Sequence, residues 1–248
     1  MDKITSLQNN KIKEVAKLKE KKYREDSNLY LVEGYHLVKE ALHHKKLKEV
    51  YIEDSETIDE SLYKGVKIYI VTKEIIKKLS SVVTAQGIIG VVEKSNKVID
   101  SDLKKLLVLD NIQDPGNLGT IIRTAAALGL DALVLTDDTV DVYNDKVIRA
   151  TQGALFKIPI IVMPKEKIVT FLKDNEYDIV VSSLNAKQEL SDIIPSQTFA
   201  IVVGNEGNGV SKLFLDSATT SVIIPMHNEV ESLNVAVAAS ILMYYYLR

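Results

Sequence analysis

Cysteine is absent from the 248 residues, which excludes disulfide scaffolds, iron–sulfur clusters, thiolate nucleophiles and cysteine-ligated zinc, and suits a reducing compartment. Histidine is scarce. The four present, His36, His43, His44 and His227, show no H-E-x-x-H or similar spacing, so no metal site is expected. No apolar run approaches the roughly 18 residues that a membrane span requires, and no basic start leads into an apolar stretch as in a leader peptide. A soluble, cytoplasmic protein without a membrane partner is the expectation. The formal net charge of −3 argues against indiscriminate coating of nucleic acid, because affinity for phosphate comes mainly from clustered Lys and Arg.

A hydrophobic share of 46% supports a core in each of two ordinary domains. The average charge conceals an asymmetry. Lys3, Lys11, Lys13, Lys17, Lys19, Lys21, Lys22 and Arg24 face only Asp2, Glu14 and Glu20, so the first 24 residues carry a net +5. Such a run is either a solvated helix face or a patch that contacts phosphates.

Up to about Val92 the pattern is mixed. It predicts a helix from Asn9 to Arg24, a strand at Leu29–Val32, a helix from Gly34 to His44, and β-rich runs at Val50–Ile52 and Lys67–Val71. The polar stretch 93–102 lacks periodicity and reads as a linker, which places a boundary near residue 97 and divides the chain into domains 1–97 and 98–248. Beyond it, strand-like runs alternate with helical ones: Leu106–Leu109 and a helix after Gly116, Ala132–Leu135 and a helix around 144–150, Asp178–Ser183, Phe199–Val203, and Val222–Ile224 followed by a helix from Ser232 to Leu247. This alternation predicts an α/β domain with a mostly parallel sheet covered on both faces. Ligands then bind where loops leave the carboxyl ends of strands, which singles out the loops 110–117, 204–211 and 225–232.

In the first loop, Pro115-Gly116 predicts a sharp turn with Asn117 as the helix N-cap, followed by an apolar face of Leu118, Ile121, Ile122, Ala125 and Ala126. Arg123 falls on a different side of that helix. It reads as a surface arginine or, beside a helix N-terminus, as a phosphate ligand. The second loop, Gly204-Asn205-Glu206-Gly207-Asn208-Gly209, follows a strand directly, and its glycines permit close approach of backbone to a ligand. It is neither a P-loop nor the dinucleotide fingerprint, and a carboxylate at Glu206 inside it needs a reason. In the third, a strand ends at Pro225 and a helix of small residues begins near Ser232, itself a candidate N-cap. Ser232 and Asn234 would line a crevice.

Together and in this order, the three loops resemble the motifs of the SpoU/TrmH family of RNA ribose methyltransferases, within the SPOUT superfamily. The stretches 31–38 and 84–92 are similar to that family's substrate-binding domain, which resembles ribosomal RNA-binding proteins. The resemblance implies a deep trefoil knot in the C-terminal domain, a homodimer, an RNA substrate with rRNA favoured over tRNA, and S-adenosylmethionine as methyl donor. By the same resemblance Gly204, Ile224, Met226 and Leu233 would contact the cofactor, and Asn117, Arg123, Glu206, Ser232 and Asn234 match the catalytic set. Asn228 departs from the glycine of many members.

A guanidinium stays protonated and makes a poor base. Arg123 is therefore expected to clamp a phosphate and orient the ribose, with Ser232, Asn234 and Glu206 completing a hydrogen-bond network and Glu206 or water taking the proton. Three other readings remain: a base-methylating relative, for which Ser232-Leu233-Asn234 is less suited; a non-catalytic RNA-binding or ribosome-assembly protein, which would not need the full polar set; and a dinucleotide-binding enzyme, which lacks the glycine fingerprint.

Overall fold

The computed structural model describes residues 1–95, 97–227 and 231–248. The chain forms two compact units, one of Met1–Ser95 with Tyr143–Phe156, the other of Asn96–Val142 with Lys157–Arg248. A single boundary at residue 97 would assign 143–156 to the second domain, yet this segment packs within the first unit.

The first unit runs β1 (Asp2–Ile4), α1 (Asn10–Lys17), α2 (Lys21–Ser27), β2 (Leu29–Glu33), α3 (Tyr35–His43), β3 (Leu47–Glu53), β4 (Lys67–Val71), α4 (Lys73–Leu79) and β5 (Ile88–Glu93). Its sheet has the order β1-β4-β3-β5-β2, parallel on the β1 side and antiparallel where β5 meets β3 and β2. Ile12, Val15, Ile75, Ile76 and Leu79 close one core cluster over Tyr51 and Val91. The returning segment is fastened by side chains: Tyr143 packs on Tyr30 with ring centroids 4.6 Å apart, its hydroxyl accepts the Ser95 N–H at 3.2 Å, and His36 Nε2 lies 3.0 Å from the Gln152 carbonyl.

The continuous helix expected over 9–24 is broken into α1 and α2. Arg24 supplies the reason. It is only 6% exposed, and its Nη1 donates to the carbonyls of Leu18 at 3.0 Å and Lys19 at 2.7 Å, taking over acceptors that an unbroken helix would satisfy internally. Lys19 in turn donates to the carbonyls of Lys78 and Ser80, each at 2.6 Å. Lys11 pairs with Glu49, Lys17 with Glu14, Lys21 with Glu25 and Lys3 with Asp54. Much of the N-terminal excess of positive charge therefore fastens this unit together, although the exposed pairs among these are weak.

The second unit comprises β6 (Lys105–Leu109), α5 (Pro115–Leu128), β7 (Ala132–Thr136), β8 (Ile160–Met163), α7 (Lys165–Asp174), β9 (Asp178–Ser182), β10 (Gln188–Glu189), β11 (Phe199–Val203), α8 (Lys212–Leu215), β12 (Thr220–Ile223) and α9 (Val235–Tyr246), while α6 (Asp145–Thr151) belongs to the first. The sheet is seven-stranded in the order β10-β12-β9-β11-β6-β7-β8, and every pair is parallel. Every residue of β7 and β11 is buried, as strands covered on both faces must be. From β6 the chain first builds outward through β7 and β8, and the remaining strands lie on its other side. The β6/β11 boundary is therefore the topological switch point, where a crevice opens beyond the carboxyl ends. Among the described residues no helix is long and apolar enough to cross a membrane.

Replacing Arg24 by Met should keep bulk while orphaning two carbonyls. Loss of its charge-assisted hydrogen bonds is expected to destabilise the unit by about 2 kcal/mol, read as a lower urea midpoint.

Candidate active site

Helix α5 begins earlier than the expected cap. Asp114, not Asn117, is the N-cap: its Oδ1 accepts the Asn117 N–H at 2.8 Å, and Pro115 occupies the first helical position, where a missing N–H costs nothing. The side chain of Asn117 is thereby released for other work. At the far end of the site, α9 starts at Val235 rather than near Ser232, and Asn234 is its N-cap, with Oδ1 accepting from Ala236 at 2.9 Å and Val237 at 3.4 Å. Ser232 stands outside the helix.

Three polar side chains from three loops meet in series. Asn117 Nδ2 donates to Glu206 Oε1 at 3.0 Å, and Asn234 Nδ2 donates to Asn117 Oδ1 at 2.9 Å. The polarity of this chain follows from chemistry. An ionised carboxylate only accepts, so Asn117 must turn its NH₂ to Glu206 and its oxygen to Asn234; Asn234 must then turn its own oxygen to the N–H groups of α9. Glu206 also faces the backbone N–H groups of Gln113 and Asp114, each at 3.4 Å. Partial burial alone would raise its carboxyl. Hydrogen bonds from Asn117 and from the backbone of Glu206, Gln113 and Asp114 outweigh that and hold it below its ordinary value of 4.5.

The loop carrying Glu206 closes tightly on itself. Asn205 and Gly209 form an isolated bridge. Asn205 Oδ1 accepts from Gly207 at 2.9 Å and Asn208 at 3.0 Å, while its Nδ2 donates to the Asn111 carbonyl at 2.9 Å. A Cβ at Gly204 would lie 2.2 Å from the Gly209 carbonyl group, so no other residue fits there without moving backbone.

Beside this chain lies a cavity of about 610 Å³, within the usual range for small-molecule sites. The four residues expected to contact a cofactor, Gly204, Ile224, Met226 and Leu233, all line it, as do Glu206 and Ser232. Val203 and Leu184 add apolar surface. Asn117 and Asn234 join through their hydrogen bonds. Arg123 does not: it is exposed on α5 and is absent from the cavity wall. Asn228 lies outside the described residues. The sequence reading missed the contribution of the loop after β9, Ser183 to Asn185; its position beyond a parallel strand's carboxyl end was the available signal. It also missed Asn205, whose amide holds the glycine loop in shape.

A crevice whose wall combines apolar side chains such as Leu184, Val203, Ile224 and Leu233 with polar groups such as Ser183, Asn185, Glu206 and Ser232 suits a purine ring joined to a polar amino-acid tail, and so fits S-adenosylmethionine. Residues 104–244 match the SpoU rRNA Methylase family and residues 9–90 the MRM3-like substrate binding domain. Over 246 residues, 99% of both chains, the sequence is 38% identical to the 23S rRNA (guanosine(2553)-2′-O)-methyltransferase RlmP of Bacillus subtilis. Among solved structures it is similar to an AdoMet-bound rRNA methyltransferase from Sinorhizobium meliloti, with a TM-score of 0.89, 27% identity and coverage of 98% of this chain and 96% of that one. An RNA 2′-O ribose methyltransferase superposes with a TM-score of 0.82 at 28% identity over 99% and 98% of the two chains.

Two outcomes test this geometry. Gly204→Ala should destabilise the protein by about 2 kcal/mol or more, as overpacking against backbone does, measured by denaturant unfolding together with loss of cofactor binding. Because the Glu206 carboxyl is held low, its contribution to stability is fully present above about pH 4.5 and is lost as pH falls through the depressed value. The Tm advantage of wild type over Glu206→Gln should therefore persist from pH 7 to 5 and shrink below about pH 4.5. By its sequence and its fold, the chain belongs to the SpoU rRNA methylase family, S-adenosylmethionine-dependent enzymes that methylate RNA on a ribose 2′-hydroxyl.

Proposed function

We propose that this chain methylates the ribose 2′-hydroxyl of a guanosine in 23S rRNA, the reaction named for its Bacillus subtilis relative. The observation that carries the reading is the ordered chain Glu206–Asn117–Asn234 standing beside the cavity that Ser232 lines. Gly204, Ile224, Met226 and Leu233 hold the methyl donor. Its methyl group sits on a sulfonium, so the leaving group needs no acid. What the protein supplies is position: the amides and Ser232 orient the 2′-oxygen in line. Glu206 is the anchor of the chain. Held below its ordinary pKa and engaged by donors, it is a weaker base than a free carboxylate, which leaves water to take the hydroxyl proton.

Residues 1–97, with the segment 143–156 packed among them, serve as the RNA-binding domain, and the rest of 98–248 as the methyltransferase domain. The C-terminal segment forms the trefoil knot. This is supported by β12 landing beside β9 and by α9 returning to pack against α5, near the start of the unit. The enzyme acts as a homodimer. On α9 the apolar side chains Val237, Ile241 and Tyr244 are 48%, 38% and 51% exposed, a stripe at helical spacing. A second copy covers this stripe. Since Arg123 lines no part of its own chain's cavity, it clamps an RNA phosphate next to the site of the copy across the interface.

Transfer of labelled methyl to 23S rRNA from a strain lacking this gene should yield label in an alkali-resistant dinucleotide containing guanosine. Label on a base would overturn ribose transfer. Arg123→Lys, which loses the bidentate fork, should lower kcat by about tenfold or more. Mixed dimers of Arg123→Ala and Glu206→Ala should recover activity that neither variant has alone. No recovery in confirmed mixed dimers would place Arg123 in service of its own chain's site.

A further inference from the structure

Behind the two loops that carry Asn117 and Glu206 lies a cluster of charges, Asp110, Asp138 and Lys165, none of which lines the cavity. Asp110, the first residue beyond β6, is 1% exposed. Its N–H donates to the Val203 carbonyl at 2.9 Å, just before the glycine loop, and its Oδ2 accepts the Ser211 N–H at 2.7 Å, just after it. One side chain and its own backbone therefore grip both ends of the loop that presents Glu206. Asp110 Oδ1 meets Lys165 Nζ at 2.8 Å, and the same ammonium reaches Asp138 Oδ2 at 3.0 Å.

Asp138 extends the connection to the other loop. Its Oδ1 accepts from Thr136 Oγ1 at 2.5 Å, and that hydroxyl accepts the Asn111 N–H at 2.8 Å. Its carbonyl accepts from Gln113 Nε2 at 2.8 Å. Gln113 and Asp114 are the residues whose backbone N–H groups face Glu206, and Asp114 caps the helix that carries Asn117.

We propose that Lys165 and Asp110 are positioning residues for methyl transfer: an ion pair with a buried carboxylate and a half-buried ammonium, neither lining the cavity, that fixes the distance between the loop bearing Glu206 and the helix start bearing Asn117. The inference rests on the reading of the Glu206–Asn117–Asn234 chain as the orienting machinery. Electrostatics gives it a discriminating signature. Removing Lys165 alone leaves the buried Asp110 carboxylate uncompensated and destabilises strongly, whereas removing both leaves only Asp138 without its ammonium, a carboxylate that is 44% exposed and so solvated. Stability and positioning can thus be separated.

The experiment compares Lys165→Met, Lys165→Arg, Asp110→Asn with Lys165→Met together, and Glu206→Gln. Each is measured for Tm, for S-adenosylmethionine Kd by calorimetry, and for kcat and KM on 23S rRNA at a temperature where every variant is folded. Lys165→Met should lose Tm and about 10- to 100-fold in kcat, with cofactor Kd within about twofold of wild type because Lys165 lines no part of the cavity. Lys165→Arg should regain part of kcat. The double variant should regain part of the lost Tm while kcat stays low. Recovery of kcat together with Tm in the double variant, or an unchanged kcat in folded Lys165→Met, would overturn the proposal. If Glu206→Gln also turns over normally, the failure lies in the reading of the polar chain; if Glu206→Gln is impaired while Lys165→Met is not, it lies in the positioning pair alone.

Discussion

Everything in the site is ordered by one carboxylate that can only accept. Glu206 receives the Asn117 amide and faces two backbone N–H groups, and that single chemical constraint settles which way two asparagines point. Asn117 has no choice of flip once its NH₂ is committed, and neither does Asn234, whose oxygen must then cap α9. Three loops at the carboxyl edge of a parallel sheet are thereby registered against one another by directional bonds. A neutral glutamine at 206 could donate as well as accept, which would remove the sense of direction from the whole series.

The fold explains why those loops are adjacent. A parallel sheet that builds outward in both directions from β6 leaves a crevice between β6 and β11, and the two loops that end there are the ones carrying Asn117 and Glu206. Asn234 arrives from a distant part of the chain because α9 packs on α5. The glycine loop can sit so close only because Gly204 has no side chain, a Cβ there overlapping the Gly209 carbonyl group. Sheet topology thus brings the loops together, and the polar chain sets their final register.

Much of this was legible before any coordinates, in uneven ways. Parallel strands buried on both faces announce themselves as short apolar runs, so β6, β7, β9, β11 and β12 were found to within a residue or two, and the three loops followed from them. Cap positions were harder. Asp114 and Asn117, like Ser232 and Asn234, are all good cap residues within three positions of one another, and propensity alone does not rank them; in each case an asparagine gained its role from a partner more than 85 residues away. The break between α1 and α2 was hidden because Arg24 reads as one more surface cation, when burial and two carbonyl acceptors make it structural. The membership of residues 143–156 in the first unit rests on Tyr143 finding Tyr30 and Ser95, contacts that no local pattern encodes. Lys165 and Asp110 are likewise separated by more than 50 residues, and each in isolation looks like an ordinary charge at the end of an element.

The low pKa of Glu206 constrains the chemistry more than it first suggests. A general base works best when its pKa lies near the working pH, and a carboxylate already engaged by donors, held below its ordinary value, is moved the wrong way for that task. The same hydrogen bonds that weaken it as a base strengthen it as an anchor, because each favours the ionised form that only accepts. Arg123 is still less suited to accept a proton, since a guanidinium remains charged throughout the accessible range. The donor's leaving group departs without protonation, and with water taking the hydroxyl proton neither side chain has to act as the base. The demand then falls on geometry, where displacements on the order of 1 Å can cost about 100-fold in rate, and that is the demand an ordered series of amides, tied at its roots by buried charge, is built to meet.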